Sequence, residues 1–511
     1  MGGDRGGLEL EELVSGFLQV FNLQTVLWIA LGEILGIIIG ALPGLTATMG
    51  IALLLPISFQ LSMATGMGLL LGVYCGAVSG ASIPAILLGI PGNPNAIATV
   101  FDGKAMTDKG LAGQALGGAV VASFIGGMIS LLLLALCSPL IARFTLAFGP
   151  AEKSCLALVG LTIIASVSSK NLAKGILTGA FGLGLSLLGT DPFSNAVRLP
   201  FPEVLAKTPL TSGISLIPAL IGLFGISQAL FDLERIKQGQ IAPPQIKIEK
   251  VFPTMRKIAS MWRVILESSG IGALIGAIPG TGASIAVFLS YERAQKITAS
   301  PRSKLDRVGT GCLEGVFAPE VANNAVTGGA LIPALSLGIP GDAATSVLLG
   351  ALLIKGVVPG FRLFSQELSL VYAIFFALFL SNVFMLTFQL LGVRMFPKIL
   401  NIPIPILIPA ILILSLIGSY AIQGQAIIAA TYDMGVALGL GILGYFLKKA
   451  DYPIPPIVLG LILGGMFEEN FRRAVKLAGG NYFVFFTKPI PILFIALALF
   501  SLALPLLKKR S

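Results

Sequence analysis

The side chains best placed to do chemistry lie inside apolar runs. Glu314, Glu320, Asn323 and Asn324 fall in the stretch 311–325, among Leu313, Val316, Phe317, Ala318 and Val321. On a helix Glu320 and Asn324 are i, i+4 and share a face, with Asn323 beside them. A carboxylate and two amides at that spacing could coordinate a cation or hydrogen-bond a carboxylate substrate. The competing reading is an acid at a helix N-terminus near a membrane interface. Glu33 also sits within an apolar run. An ionisable group there is costly and by default functional, although a partly hydrated packing residue would occupy the same place. Glu152, Asp191 and Glu267 lie near segment ends, as interfacial acids do.

A second signal comes from the main chain. Proline removes a helical donor and clashes with the preceding turn. Backbone left unpaired at membrane depth must line a cavity or be buried in protein. Four breaks interrupt apolar runs: Pro43-Gly44-Leu45-Thr46, Gly92-Asn93 with Asn95 just beyond, Pro279-Gly280-Thr281-Gly282, and Pro340-Gly341-Asp342. Half-helices starting at such breaks offer free N–H groups and partial positive charge, which suits anions. Kinks and close packing explain a lone Pro-Gly equally well. Breaks paired across two repeats are instead the best sequence pointer to a transporter's binding site.

These breaks are paired. Residues 36–44 and 272–280 both read G-x-x-x-G-A-x-P-G, at an offset of 236. Residues 80–92 and 329–341 agree at ten of 13 positions, at an offset of 249. The chain is read as a duplication: a first transmembrane repeat over 1–231, a basic cytoplasmic linker over 232–263, and a second repeat over 264–511 with an extra C-terminal helix. With that extra helix, the acidic N-terminus, basic linker and basic tail fit an inverted second repeat. Basic runs at 256–263 and 293–307 flank the one apolar segment 264–290. A single crossing would place them on opposite sides, so a re-entrant pair of half-helices around Pro279 is preferred to a kinked crossing.

Composition sets the frame that positions these groups. Of 511 residues, 55% are hydrophobic and 11% charged, with mean hydropathy +0.93. Soluble chains carry about 25% charged residues, and one crossing needs about 20 apolar residues. The expected fold is therefore an all-α polytopic membrane protein, with about 10–13 membrane segments by that yardstick. Residues 1–21 are polar and acidic, unlike a signal peptide, so the first apolar run is expected to be retained. Histidine is absent, which excludes Ser-His-Asp and Cys-His catalysis and histidine proton relays. No phosphate loop occurs, so the chain does not hydrolyse ATP by that route. The four cysteines stand singly, as small buried hydrophobes. The formal charge of +10 resides in loops, where positive-inside placement explains it, and nucleic acid is not expected as a partner.

At its motifs the sequence resembles the large membrane subunit of the tripartite tricarboxylate transporters, the TctA family. The resemblance rests on Gly40-Ala41-Leu42-Pro43-Gly44-Leu45, on Ile86-Leu87-Leu88-Gly89-Ile90-Pro91-Gly92-Asn93-Pro94 and on Phe101-Asp102-Gly103. It is most specific at Glu314-Gly315-Val316, at Ala318-Pro319-Glu320-Val321-Ala322-Asn323-Asn324-Ala325 and at Leu337-Gly338-Ile339-Pro340-Gly341. Thr46 stands where the family usually has glycine, and Lys104-Ala105 replaces a more usual aromatic-proline pair. The resemblance implies a secondary active importer in a bacterial inner membrane, coupled to Na⁺ or H⁺ and without other cofactors. It further implies a small four-span membrane subunit, and a periplasmic solute-binding protein that delivers a carboxylate such as citrate.

On this reading Pro43, Gly44, Leu45, Thr46, Gly92, Asn93, Asn95, Pro279, Gly280, Thr281 and Gly282 contact the substrate. Glu320, Asn323, Asn324, Pro340, Gly341 and Asp342 hold the cation or support the loops. An elevator-like movement is expected by analogy with other duplicated carriers. A stand-alone ion antiporter or channel is the rival reading. A polytopic membrane enzyme is the remote one.

Overall fold

In a bilayer, helices satisfy their own backbone, and the apolar runs fold accordingly. The computed structural model describes residues 4–508 apart from 43, 145–147, 168–171, 192, 195, 199–208, 237–250, 252–254, 280–281, 302, 304, 397–403 and 422–426. Among the described residues the β-pairing is one isolated antiparallel bridge, Thr190 with Val197; the rest is helix and connection. Among the described residues five helices are long and apolar enough to cross a membrane, and six shorter apolar helices accompany them. Contacts divide the chain into two compact units, 1–141 with 236–278 and 282–406, and 142–235 with 279–281 and 407–511. Each unit draws on both sequence halves.

The first unit opens with α1 (Asp4–Val20), α2 (Leu23–Ala41), α3 (Ala47–Phe59), α4 (Met63–Gly80), α5 (Ser82–Leu88), α6 (Ile97–Asp108) and α7 (Ala112–Phe144). It continues with α10 (Trp262–Ala277), α11 (Gly282–Thr298), α12 (Leu313–Leu337), α13 (Ala343–Ile354) and α14 (Leu368–Gly392). Side-chain caps fix several starts: Asn22 accepts from the Thr25 N–H, Thr46 from Met49 and Ser62 from Thr65. Such caps stabilise a helix by about 0.5–2 kcal/mol each. α3 and α13 have 13 and 12 residues, about 18–20 Å at 1.5 Å per residue. They are too short for a hydrocarbon core of about 30 Å, because each begins at a break.

Small residues set how these helices pack. α2 turns Leu27, Leu31 and Ile34 outward and buries Gly32, Glu33, Gly36, Ile37 and Gly40 against α4. A Cβ on Gly36 would stand 2.6 Å from the Val73 carbonyl oxygen, and one on Gly40 2.3 Å from that of Ala77. The second half repeats the contacts: Gly272 faces the Ala322 oxygen at 2.4 Å, and Gly276 that of Val326 at 2.8 Å. The reverse approach recurs too, Gly80 on Ile37 and Gly329 on Ala273. Each pair keeps the offsets of 236 and 249. Without such glycines the backbones could not approach this closely, and dispersion between them is what holds helices together in lipid.

The segment 264–290 is two helices, α10 and α11, folded side by side. Ser290 Oγ donates to Ser268 Oγ at 2.7 Å. At the open end Glu267 receives both Arg263, at 2.9 Å, and Arg293. The two basic runs therefore meet at one end, as the re-entrant reading requires. Of the expected linker, 232–236 close the helix Ser227–Ile236 and Met255–Ser260 form another; 237–250 and 252–254 lie outside the described residues.

The second unit contains α8 (Pro150–Val167), α9 (Leu172–Ser186), α15 (Ile427–Lys449), α16 (Pro455–Leu477) and α17 (Pro489–Lys508), with further helices. Ala151, Cys155, Ala474 and Phe485 form a small core, with Phe471 stacked on Phe485 at 5.0 Å. Asp191, Arg198, Glu468 and Arg472 form an ion-pair network at its polar end. Glu152 pairs with Lys488 at 3.2 Å.

Candidate functional site

The first two breaks come together through the main chain. α2 ends in extended backbone at Leu42. Pro43 lies outside the described residues. Gly44 follows at φ +97°, a conformation that favours glycine, and its N–H donates to the Gly92 carbonyl at 3.0 Å. Leu45 is buried, and Thr46 caps α3. The second break begins at Gly89, left-handed at φ +71°. Gly92 is wedged so tightly that a Cβ would stand 2.5 Å from the Gly40 oxygen and 2.8 Å from Ala81 Cα. Asn93 then accepts from the Asn95 N–H at 2.9 Å and starts the 3-10 turn Pro94–Ala96 that leads into α6.

The second half builds its tips alike. Pro279 is half-buried, Gly280 and Thr281 lie outside the described residues, and Gly282 opens α11 at φ +67°. Ser284, two residues along, donates to Asn95 Oδ1 at 2.8 Å, so α11 meets the tip of the first half. Gly338 ends α12 at φ +73°, matching Gly89. Pro340 and Gly341 are buried, and a Cβ on Gly341 would stand 2.4 Å from the Gly276 oxygen. Asp342 closes a capping box with Thr345 and accepts from Tyr74 Oη at 2.7 Å. Its carboxylate already occupies the N-terminus of α13, which leaves that end with no call for an anionic substrate. Asp342 is thus placed as the N-cap of α13, bonded to Tyr74 of α4.

The polar stretch on α12 divides. Glu320 is fully buried; its Oε1 accepts from Thr99 Oγ1 of α6 at 2.5 Å, and its Oε2 from Ser123 Oγ of α7 at 3.3 Å. Asn324 Nδ2 donates to the same Ser123 Oγ at 2.7 Å. Glu320 and Asn324 thus converge on one hydroxyl, as their i, i+4 spacing suggests. Asn323 points elsewhere, donating to the Val78 carbonyl of α4 at 3.2 Å. Glu314 pairs with Lys257 at 2.6 Å and accepts from the Asp306 N–H, tying α12 to the preceding loop. One carboxylate flanked by two hydroxyls and an amide can hold a proton or a hard monovalent cation.

Sequence reasoning missed the donors. Thr99, Ser123, Tyr74 and Ser284 are hydroxyl residues in apolar runs, and hydroxyls there commonly bond to their own helix, as Ser381 and Ser336 do here. Their type and spacing carry no sign of a distant partner. Asp102, known only from its motif, proves to be a clamp. Its Oδ1 accepts from the Gly311 and Cys312 N–H groups at 2.6 and 2.9 Å, and its Oδ2 from Gly309 N–H at 2.9 Å and Tyr291 Oη at 2.7 Å. It thereby seats the start of α12, the helix that carries Glu320.

Comparison with known proteins agrees with this anatomy. Residues 26–459 match the tripartite tricarboxylate transporter TctA family. The chain is similar to an uncharacterized 52.8 kDa protein in the TAR-I ttuC' 3' region of Agrobacterium vitis, 31% identical over 498 residues, covering 98% of this chain and 96% of that one. A second relative, an uncharacterized protein in the TAR-II ttuC' 3' region of the same organism, is 34% identical over 236 residues, 46% of this chain and 94% of its own. No solved structure matches. The family match spans both halves and all four breaks, so the chain is a multi-pass membrane protein that belongs to the tripartite tricarboxylate transporter TctA family.

Proposed function

We propose that this chain is the large permease subunit of a binding-protein-dependent importer, taking up a small carboxylate, citrate or a related tri- or dicarboxylate, by cation symport across a bacterial inner membrane. Its expected partners are a small four-span membrane subunit and a periplasmic solute-binding protein. The observation that carries the reading is the junction of the first two breaks with the start of α11, joined by Gly44–Gly92 and Ser284–Asn95. Helix starts at Thr46 and Gly282 supply N–H groups and partial positive charge, the complement of carboxylates. Glu320, with Thr99, Ser123 and Asn324, is assigned to the coupling Na⁺ or H⁺. Recognition by main-chain N–H groups suits any small carboxylate, and the substrate is set by the binding protein that delivers it. An elevator-like movement is the mechanism expected by analogy with other duplicated carriers.

The test is uptake of radiolabelled citrate into proteoliposomes holding both membrane subunits, with binding protein outside and an imposed Na⁺ or pH gradient. Uptake should respond to one gradient, and Glu320→Gln should abolish that response. Unchanged gradient-driven uptake in Glu320→Gln and Asn324→Ala would remove both residues from the mechanism. Ion flux without binding protein would favour the antiporter or channel.

A further inference from the structure

Glu33 lies midway along α2, fully buried, and neither carboxylate oxygen has a hydrogen-bond partner among the described residues. The site is shaped around it. At Gly76 of α4 an added Cβ would stand 2.5 Å from the Glu33 carbonyl oxygen, 2.8 Å from Ile37 N and 2.9 Å from Glu33 Oε1, so glycine lets the two backbones close on each other with the carboxylate beside them. The helices packed on α2 supply no counter-charge. α3 and α5 contain no titratable residue, α4 contributes Tyr74 and Cys75, and α14 contributes Tyr372. Tyr74 is engaged by Asp342, and Cys75 is a buried thiol that carries no positive charge. The charges of α1, Asp4, Arg5, Glu9, Glu11 and Glu12, belong to its first nine residues, on a helix that packs chiefly on α14.

An ionised carboxylate in such a place costs far more than a neutral one. Glu33 is therefore compatible with this packing only as the acid. The neighbourhood also holds other unpaired polar atoms within one turn of α4. Asn323 Oδ1 and Gln389 Nε2 are buried without partners, although Asn323 Nδ2 reaches Val78 and Gln389 Oε1 accepts from Ser79. At the duplicated position, Ser269 Oγ is likewise buried and unpaired. Unpaired buried groups are rare in native packing, and Glu33 is the one among these that carries an ionisable side chain. α2 ends in the Pro43–Thr46 break, ten residues beyond Glu33.

We infer that Glu33 is a proton-binding site whose occupancy holds α2 against α4, and that the proton leaves only when the two helices part. The inference deepens the transport reading by giving one substrate-site tip a proton-linked latch, yet it is testable on the resting protein. Infrared spectra of the purified chain at neutral pH should show a carboxylic-acid carbonyl band that Glu33→Gln lacks. As pH is raised, loss of that band should coincide with at least a tenfold rise in hydrogen exchange over residues 29–40, corrected for intrinsic rate. Glu33→Gln should show no such pH-linked rise. Identical spectra for the two proteins would overturn the inference. So would loss of the band without loss of protection in the wild-type chain, a measurement that decides the matter even if the variant does not fold. Citrate uptake plays no part, so failure of the transport reading would leave this result standing.

Discussion

Adding a single methyl group at Gly92 or Gly341 tests whether the wedged tips set the geometry of transport. The Cβ of Gly92→Ala would sit 2.5 Å from the Gly40 oxygen, and that of Gly341→Ala 2.4 Å from the Gly276 oxygen and 2.5 Å from Ala330 Cα. Real Cβ atoms do not approach closer than 3.0 Å, so each tip must retreat by at least about 0.5 Å. The opposing atoms are backbone of zipped helices and cannot swing aside. Overpacking of this kind costs about 1–3 kcal/mol, and a displacement approaching 1 Å at a positioning element can lower turnover by about 10²-fold. The assay is initial-rate citrate uptake in proteoliposomes, with the melting temperature of each purified protein alongside. Both variants should fall at least tenfold in maximal rate and melt earlier. Gly270→Ala is the control: nothing lies within 4 Å of its Cβ, and alanine favours a helix by up to about 1 kcal/mol over glycine. Wild-type rates and stability in both tip variants would refute the reasoning.

Other expectations follow from the polar contacts. Asp102→Asn replaces Oδ2 by an amide NH2, which removes the 2.9 Å acceptor of Gly309 N–H, leaves that N–H the longer 3.2 Å contact with Oδ1, and makes Tyr291 Oη turn from donor to acceptor. Loss of a hydrogen bond to a carboxylate should lower stability by about 1.5–3 kcal/mol, read as a several-degree fall in melting temperature; an unchanged melt would show that the clamp contributes nothing. Hydrogen bonds from Arg472 and from the Phe193 and Ser194 N–H groups hold Asp191 well below the usual carboxylate range. Its folded value lies below the unfolded one, so its contribution is present above about pH 4 and is lost as pH falls further. Asp191→Asn should therefore be less stable than wild type at pH 7 and lose less on acidification, and parallel melting curves from pH 7 to 3 would contradict this. Thr99→Val removes the shorter of the two hydroxyl donors to Glu320 and should weaken gradient-driven uptake more than Ser381→Ala, whose hydroxyl bonds only its own helix.

Much of the fold was legible because bilayer physics constrains sequence so strongly. Low charge and long apolar runs require helices. Proline within such a run requires a break, and identical breaks at fixed offsets require related structures around them. The clash of two basic runs flanking 264–290 with the positive-inside rule led to the hairpin of α10 and α11, since charge placement acts on the chain locally. Glu320 and Asn324 were found together because helical spacing fixes a shared face. Asn323 illustrates the limit: it is adjacent in sequence, yet its amide turns to α4.

What the sequence could determine by itself was everything set by solvent and local periodicity: membrane embedding, helix breaks, the paired motifs at offsets of 236 and 249, and the residues on one face. What only the tertiary structure decided was which elements meet. That Thr99 and Ser123 serve Glu320, that Ser284 reaches Asn95, that Tyr74 holds Asp342 and that Asp102 seats α12 depend on contacts between residues from about 190 to 270 positions apart. Hydroxyls in apolar helices look alike whether they bond the preceding turn or a distant carboxylate. The choice is made by which backbones small residues allow to approach, a property of the packed bundle and not of any one segment.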